Sequence, residues 1–231
     1  LEEVVTKNKL GSVGVLLDGV LSTHVYLKKV LKELTDKKVI TKVFEINART
    51  EPTYELLDEL KPQFISYDFD CLVGIGGGTV LDLTKGIATL LKNDGPALNY
   101  RGFPDLKHKP LPVIAVPTTA GTGSEVTYNA VFISLKENVK LGINSRHNYP
   151  IAAILDPMII LGSPKSVMVS SGMDALVHTF ESYASKKTNL YSRMFAKEAF
   201  KLLFPNLLQL VDQRDSVDVC GNLFLGSHYA G

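Results

Sequence analysis

The fold is decided by the stretch Gly74-Ile75-Gly76-Gly77-Gly78-Thr79-Val80-Leu81-Asp82-Leu83-Thr84-Lys85. A short apolar run that ends at Val73 precedes the glycines, and apolar residues with helical spacing follow them as far as Leu91. A short apolar run is typical of a buried strand, and apolar residues repeated every three or four positions are typical of a helix. The order therefore predicts a strand, a glycine turn and a helix.

The glycine turn is a candidate phosphate site. Gly76, Gly77 and Gly78 remove every Cβ from the turn, so the backbone can take positive φ values and a ligand can approach it closely. The N–H groups of the turn and of the helix N-terminus attract phosphate oxygens. Thr79 adds a hydroxyl donor, and Asp82 is placed in the first helical turn, where the helix dipole favours a carboxylate. A tight turn that binds nothing is the alternative.

Composition narrows the class of protein. The chain has 231 residues, 45% of them hydrophobic, and a net charge of +1, so we expect a folded protein without a nucleic-acid partner. Cys71 and Cys220 are too few for a disulfide framework and fit a reducing compartment, with Cys71 expected in the core rather than as a nucleophile. The longest apolar stretch, residues 150–161, is too short to span a membrane, so we expect a cytoplasmic location and no membrane partner.

Strand and helix patterns alternate along the first part of the chain. Strands are predicted at residues 13–17, 39–46, 69–73, 111–116 and 151–155, and helices at 25–34, 51–60 and 79–91. This alternation predicts a doubly wound parallel sheet with helices on both faces and a ligand site at the carboxyl ends of the strands. A β-hairpin is predicted at 126–135 and 139–144. Residues 1–160 are assigned to this α/β dinucleotide-binding domain and residues 161–231 to an all-helical domain.

Asp18 ends the first predicted strand, ahead of the glycine turn. In the usual dinucleotide fingerprint the glycines come first and the acidic residue follows about twenty residues later, so the order here is reversed. The Asp18 carboxylate could accept the ribose hydroxyls of an adenosine and repel a 2′-phosphate, which favours NAD over NADP. An aspartate that only forms a turn before a glycine is the alternative.

A second loop follows the fourth long strand and contains Thr118, Thr119 and Thr122 among its hydroxyl residues. Hydroxyl donors and glycines after a parallel strand suit a pyrophosphate or a nicotinamide ribose. Lys140, on the second arm of the hairpin, could reach a phosphate or ribose, although an exposed lysine without a ligand is the commoner explanation.

Asp174 and His178 lie four residues apart in a predicted helix at residues 170–183, which has a serine cap. Side chains at this spacing share one helix face, so a carboxylate oxygen and an imidazole nitrogen could bind one divalent cation. A surface hydrogen bond between the two is the alternative. His228, close to the last residue, is a poor candidate for a third ligand.

Three motifs together resemble those of the iron-containing (group III) alcohol dehydrogenase family, which has the dehydroquinate synthase-like fold. They are the glycine turn with Asp82 and Lys85, the loop at residues 117–125, and the segment at residues 172–178. The resemblance implies NAD(P) over the turn from Gly76 to Thr79, contacts from the threonine loop, and hydride transfer to or from a small alcohol or polyol. It also implies that Asp174 and His178 are two ligands of a catalytic Fe²⁺ or Zn²⁺, and that the protein is a homodimer.

The resemblance also implies parts that this sequence does not contain. The remaining two metal ligands of the family are histidines on later helices, beyond Gly231, and the first strand of the family is missing. We therefore expect a fragment of a longer enzyme with half of its metal site. The alternatives are a nucleotide-binding module without turnover and a lyase of the dehydroquinate synthase type, which also uses NAD and a metal.

Overall fold

The structure is a computed structural model that describes residues 1–48, 50–213 and 216–231. Its main sheet has five parallel strands, in the spatial order β2, β1, β3, β4, β7. In chain order they are β1 (Val13–Asp18), β2 (Lys42–Ile46), β3 (Cys71–Gly76), β4 (Val113–Pro117) and β7 (Ala152–Ala153). The parallel sheet predicted from the alternation of strands and helices is therefore confirmed.

Helices cover both faces of the sheet, as predicted. They are α1 (Glu2–Lys7), α2 (Val25–Asp36), α3 (Tyr54–Ile65), α4 (Gly78–Leu90) and α5 (Pro157–Ile160). One core joins the sheet to α3 and α4 through residues such as Leu57, Phe64 and Ile87, and the other joins it to α2 and α5 through residues such as Leu31 and Ile159. The strands are buried on both faces, which explains their continuous apolar runs.

The predicted hairpin forms a separate two-stranded antiparallel sheet of β5 (Asn129–Ser134) and β6 (Val139–Asn144). It packs against α3 and α4 through Phe132, which is fully buried beside the Tyr54 ring. The last part of the chain is helical, with α6 (Lys165–Ala184), α7 (Leu190–Gln213) and α8 (Val217–Ala230) around a third core. In the part of the chain that the structure describes, no helix is both long and apolar enough to cross a membrane.

Two predicted strands are shorter than expected. The second begins at Lys42 instead of Val39, because the N–H groups of Val39 and Ile40 both donate to Leu34 O at the end of α2. The last parallel strand keeps only Ala152 and Ala153 of residues 151–155 in the sheet, although hydrogen bonds to β4 continue just outside it.

Two predicted helix boundaries were also wrong. Helix α3 was predicted to stop before Pro62, but it continues to Ile65, since its last turns place Leu60 and Phe64 in the core. The serine cap at residues 170–171 does not form. Helix α6 begins at Lys165 after Pro164, and the Ser171 hydroxyl donates to Met168 O inside the helix.

The carboxyl ends of the parallel strands meet at one edge of the sheet. Gly76 at the end of β3 is in register with Pro117 at the end of β4, and Asp18 ends the neighbouring β1. Helix α4 begins only two residues after β3 ends. The glycine turn, the threonine loop and Asp18 therefore all lie at the edge where the sequence predicted a ligand site.

Replacing Gly76 by alanine tests how tightly this turn is packed. A Cβ at Gly76 would lie 2.5 Å from the Val80 Cβ, which is held by the helix backbone. We expect Gly76→Ala to lower the free energy of unfolding by about 1–3 kcal/mol through overpacking. Gly221 in α8 has no such neighbour within 4 Å, so Gly221→Ala should raise it by up to about 1 kcal/mol. Urea unfolding measures both, and a neutral Gly76→Ala would contradict the packing argument.

Candidate active site

The glycine turn requires glycines because a Cβ would not fit there, and not because its backbone takes positive φ values. The sequence allowed positive φ values there, but Gly76, Gly77 and Gly78 all have ordinary φ, and Gly77 forms an extended N-cap of α4. A Cβ at Gly78 would lie 2.8 Å from the Thr122 side chain, and one at Gly77 would lie 3.3 Å from the Thr119 hydroxyl. The threonine loop therefore lies directly against the turn.

The threonine loop, residues 117–125, is joined to the sheet at its start. Thr118 N donates to Gly76 O at 3.0 Å, and the Thr118 side chain is buried. Thr122 is exposed at the other end of the loop, and its hydroxyl oxygen accepts from Ser124 N at 3.3 Å. Of the three predicted threonines, Thr122 is thus the one that both faces solvent and contacts the glycine turn.

Asp82 was predicted to lie in the first turn of α4. This was wrong, because the helix begins at Gly78 and Asp82 lies beyond its first turn. Its carboxylate accepts hydrogen bonds from the Ser124 hydroxyl at 2.6 Å and from Val131 N at 3.0 Å. Burial raises the pKa of Asp82, while Lys85 and the two hydrogen bonds oppose that shift. Asp82 lines the cleft, but its oxygens already bind the threonine loop and the hairpin.

Lys85 is a functional candidate that the analysis of the sequence missed. The side chain is completely buried, and its ammonium donates to Ser124 O at 2.6 Å, Ser124 Oγ at 2.9 Å and Asn129 O at 2.8 Å. Burial lowers its pKa from the ordinary 10.5 to about 8, against the charges of Asp82 and Glu125. A lysine three residues after Asp82, inside a helix with apolar residues on both sides, was the available signal.

Asp174 and His178 extend from the same face of α6. The distance from His178 Nε2 to Asp174 Oδ1 is 3.9 Å. The His178 side chain is 35% exposed and the Asp174 side chain is 47% exposed. Two donor atoms that are each about 2 Å from a tetrahedral cation lie roughly 3.3 Å apart, so these side chains would have to approach each other by about 0.6 Å to share one ion. Among the described residues, no group of three or more His, Cys, Asp and Glu side chains could hold a metal. The described residues therefore offer this pair of possible ligands and no third one beside it.

One cleft of about 670 Å³ contains most of the predicted site residues. It is bounded by the start of α4, the threonine loop, the hairpin and α6. Seven of the residues singled out in the sequence line it, namely Gly78, Thr79, Asp82, Thr122, Lys140, Asp174 and His178. Glu51 and Glu181 also line it and were not predicted. The structure thus brings the candidate phosphate site and the candidate metal ligands to one cavity.

The other predicted residues lie around this cleft. Gly76, Gly77, Thr118 and Thr119 form its supporting turn and loop. Asp18 lies at the same sheet edge, where its carboxylate accepts from Val20 N at 3.2 Å, so the turn-forming role is present. The Lys140 ammonium is 2.8 Å from Glu51 Oε2, and both side chains are more than half exposed. Lys140 is therefore placed at the cleft but paired with a carboxylate.

His228 lies away from the metal pair. Its Nδ1 is 3.3 Å from Oε1 of the buried Glu125, and it lines a smaller cavity behind the cleft together with Val126, Ser182 and Phe195.

Comparison with known proteins decides the family. Residues 1–157 match the model described as iron-containing alcohol dehydrogenase, and residues 168–231 match the model for the C-terminal part of that family. The chain belongs to the iron-containing alcohol dehydrogenase family. The family and the fold class predicted from the three motifs are therefore confirmed.

Several members of the iron-containing alcohol dehydrogenase family are similar to this chain over most of its length. The 4-hydroxybutyrate dehydrogenase of Clostridium kluyveri is 34% identical over 78% of this chain and 49% of its own. The 1,3-propanediol dehydrogenase of Citrobacter freundii is 38% identical over 70% of this chain and 42% of its own. The chain spans about half the length of the curated relatives it matches.

Solved structures of this family agree closely with the fold. A crystal structure of 1,3-propanediol oxidoreductase superimposes with a TM-score of 0.92 at 29% identity, covering 100% of this chain and 60% of that one. Sulfoacetaldehyde reductase from Bifidobacterium kashiwanohense, solved in complex with NAD⁺, superimposes with a TM-score of 0.90 at 26% identity, again over 100% of this chain and 60% of that one.

Cys71 is the first residue of β3, at the opposite end of the strand from the glycine turn, and its chemistry is testable. Burial raises the pKa of its thiol to about 12, so almost no thiolate exists at neutral pH. We expect iodoacetamide at about pH 8 to leave Cys71 unmodified in the native protein and to alkylate it after unfolding in urea. Peptide mass spectrometry measures this, and native labelling at the rate of a free cysteine would show that Cys71 is not inert core.

Proposed function

We propose that the protein is the nucleotide-binding part, with half of the metal site, of a metal-dependent oxidoreductase. The proposed reaction transfers a hydride between NAD and a small alcohol or polyol or the corresponding aldehyde or ketone. The observation that carries the proposal is the shared cleft, which is lined by the glycine turn on one side and by Asp174 and His178 on the other. Family membership supports the same reaction.

The start of α4 is proposed to bind the pyrophosphate. The first N–H groups of a helix have no partner within it and carry the positive end of its dipole. The missing Cβ of Gly78 lets an anion approach these groups, and the hydroxyls of Thr79 and Thr122 are on the same cleft wall. Lys140 would add a positive charge after leaving Glu51.

Asp18 is proposed to select NAD, with NADP as the less favoured cofactor. Its carboxylate lies at the carboxyl end of β1, beside the end of β3, which places it next to the glycine turn. A carboxylate at this edge would accept hydrogen bonds from ribose hydroxyls and repel a 2′-phosphate. The relative whose structure contains NAD⁺ supports NAD as the cofactor of this chain.

Asp174 and His178 are proposed to hold Fe²⁺ or Zn²⁺. The family name supports iron, and a carboxylate with an imidazole suits either ion. When bound, such a cation would act as a Lewis acid toward the substrate oxygen. The residues of this chain would bind the nucleotide, orient it along the cleft and keep the two reacting groups close. A complete metal site would require further ligands beyond the two that the described residues supply.

The substrate class is proposed from the relatives. The names of two of them specify 1,3-propanediol and 4-hydroxybutyrate, which are small primary alcohols with a second polar group. Ten of the 17 residues that line the cleft have hydroxyl or charged side chains, which suits such a molecule. We also propose that the protein is a cytoplasmic homodimer. We propose that it binds neither membranes nor nucleic acid, and the net charge of +1 supports the absence of a nucleic-acid partner.

Nucleotide binding tests the first half of this proposal. We expect NADH fluorescence titration to show binding to the purified protein, and Gly78→Ala to raise the Kd about tenfold or more, because the new Cβ displaces Thr122 and blocks approach to the helix N-terminus. Gly221→Ala, in open space on α8, is the matched control and should leave the Kd unchanged. No binding of NADH by the unmodified protein would overturn the proposed function.

Metal binding tests the second half. After incubation with Fe²⁺ or Zn²⁺ and gel filtration, elemental analysis should find metal that is lost in Asp174→Ala and in His178→Ala. Glu181→Ala is the control, because Glu181 is a carboxylate on the same helix and lines the same cleft. Metal content that is insensitive to Asp174 and His178 would contradict the assignment. NADH binding without any metal would favour the nucleotide-binding module without turnover.

A further inference from the structure

The buried ammonium of Lys85 does not line the cleft, but it contacts two residues that do, Ser124 and Asn129. It is the only side chain in the described part of α4 that is both charged and completely buried. Burying an unpaired charge is very costly, and the cost is tolerable only when hydrogen bonds replace the lost water. Here all three N–H groups of the ammonium have an oxygen acceptor within 2.9 Å. Lys85 is therefore committed to fixed partners.

Those partners belong to the segments that form the cleft wall. Two of the three acceptors are atoms of Ser124, in the threonine loop, and the third is Asn129 O at the start of β5. The Ser124 hydroxyl in turn donates to Asp82 Oδ1 at 2.6 Å, and Ser124 N donates to Thr122 Oγ1 at 3.3 Å. A continuous chain of hydrogen bonds thus runs from Lys85 through Ser124 to Thr122.

Thr122 is the residue whose position matters for the nucleotide. Its side chain lies within 2.8 Å of the point where a Cβ of Gly78 would be, so a small shift of the loop would open or cover the N-terminus of α4. Even a small shift of the loop would be costly for nucleotide binding, because the hydrogen-bond donors must match the ligand. Between the end of β4 and the start of β5, residues 118–128 belong to no strand, and residues 124–126 form only a single 3-10 turn.

We propose that Lys85 is a positioning residue of the nucleotide site, which holds the threonine loop against the glycine turn through Ser124 and Asn129. This inference rests on the proposed function, because it assigns the residue that sets the shape of the same site. Lys85 does not contact the nucleotide. It acts through Ser124 and Thr122, and the effect of removing it should appear in nucleotide affinity.

The pH dependence separates this role from a contribution to stability alone. The charged groups that face the Lys85 ammonium are Asp82 on its own helix and Glu125 in the threonine loop, and Glu51 acts on Asp82. Burial lowers the pKa of Lys85 from 10.5 to about 8. Between these values the unfolded chain binds more protons at this group than the folded one, so Lys85 alone makes the free energy of unfolding rise with pH.

Nucleotide affinity should move in the opposite direction. Above about pH 8 the neutral amine has two N–H donors for three acceptors, so the threonine loop loses one of its bonds. We therefore expect the Kd for NADH to rise several-fold between about pH 7 and pH 9.5. Over the same range, the titration of Lys85 should not lower the free energy of unfolding. A side chain that only supports the fold would not separate the two quantities.

The experiment measures the Kd for NADH by fluorescence, and the free energy of unfolding by urea, across this pH range. Lys85→Met removes the charge while filling a similar volume, and we expect about a tenfold higher Kd at pH 7 and no further rise above pH 8. Lys92→Met is the matched control, because Lys92 is exposed just beyond the same helix and should behave like the unmodified protein.

Ser124→Ala keeps the inference falsifiable if Lys85→Met does not fold. It removes the hydroxyl that accepts from Lys85 and donates to Asp82, so it should also raise the Kd and flatten the pH dependence. An unmodified protein that does not bind NADH would overturn the proposed function and this inference together. NADH binding with a Kd that neither variant changes, or that does not vary with pH, would overturn the inference alone.

Discussion

The close packing of the threonine loop against three other segments sets the shape of the cleft. A Cβ at Gly78 would collide with Thr122, one at Gly121 would lie 2.9 Å from Ser171 Cβ in α6, and one at Gly123 would lie 2.7 Å from Gly231 Cα. Because there is no room for a Cβ at any of these three points, α4, α6 and the end of α8 pack directly against the loop. The nucleotide side and the metal side of the cleft therefore share one rigid wall.

Charge is divided unevenly along this cleft. Among the described lining residues, four are acidic, namely Glu51, Asp82, Asp174 and Glu181, and Lys140 is the one lysine or arginine. Because Lys140 is paired with Glu51, an anionic pyrophosphate must depend on the N-terminus of α4 and on hydroxyl groups for most of its binding. The carboxylates at the α6 end favour a cation instead. The electrostatics of the lining thus agree with a dinucleotide at one end and a metal ion at the other.

The sequence was sufficient for the order of elements, the parallel sheet and the family, because each depends on local patterns and motifs. The run from Gly74 to Lys85 specifies a strand, a turn and a helix without any distant contact. It was insufficient where a distant contact decides the outcome. Phe64 keeps α3 helical beyond Pro62, and the reason for the three glycines is the approach of Thr119 and Thr122. Lys85 escaped notice for the same reason, since its acceptors lie about 40 residues further along the chain.

The two halves of the site differ in how much of their binding energy the described chain supplies. The start of α4 and the threonine loop, which are proposed as the nucleotide side, are held together by contacts such as those of Gly78 with Thr122 and of Lys85 with Ser124, so a nucleotide that binds there would meet a preorganised surface. The metal pair is also held in place, because Ala175, Leu176 and Thr179 bury the opposite face of α6. Two ligands nevertheless leave a tetrahedral ion half coordinated. Nucleotide affinity should therefore depend on residues that are present here, and metal affinity on ligands from outside this set.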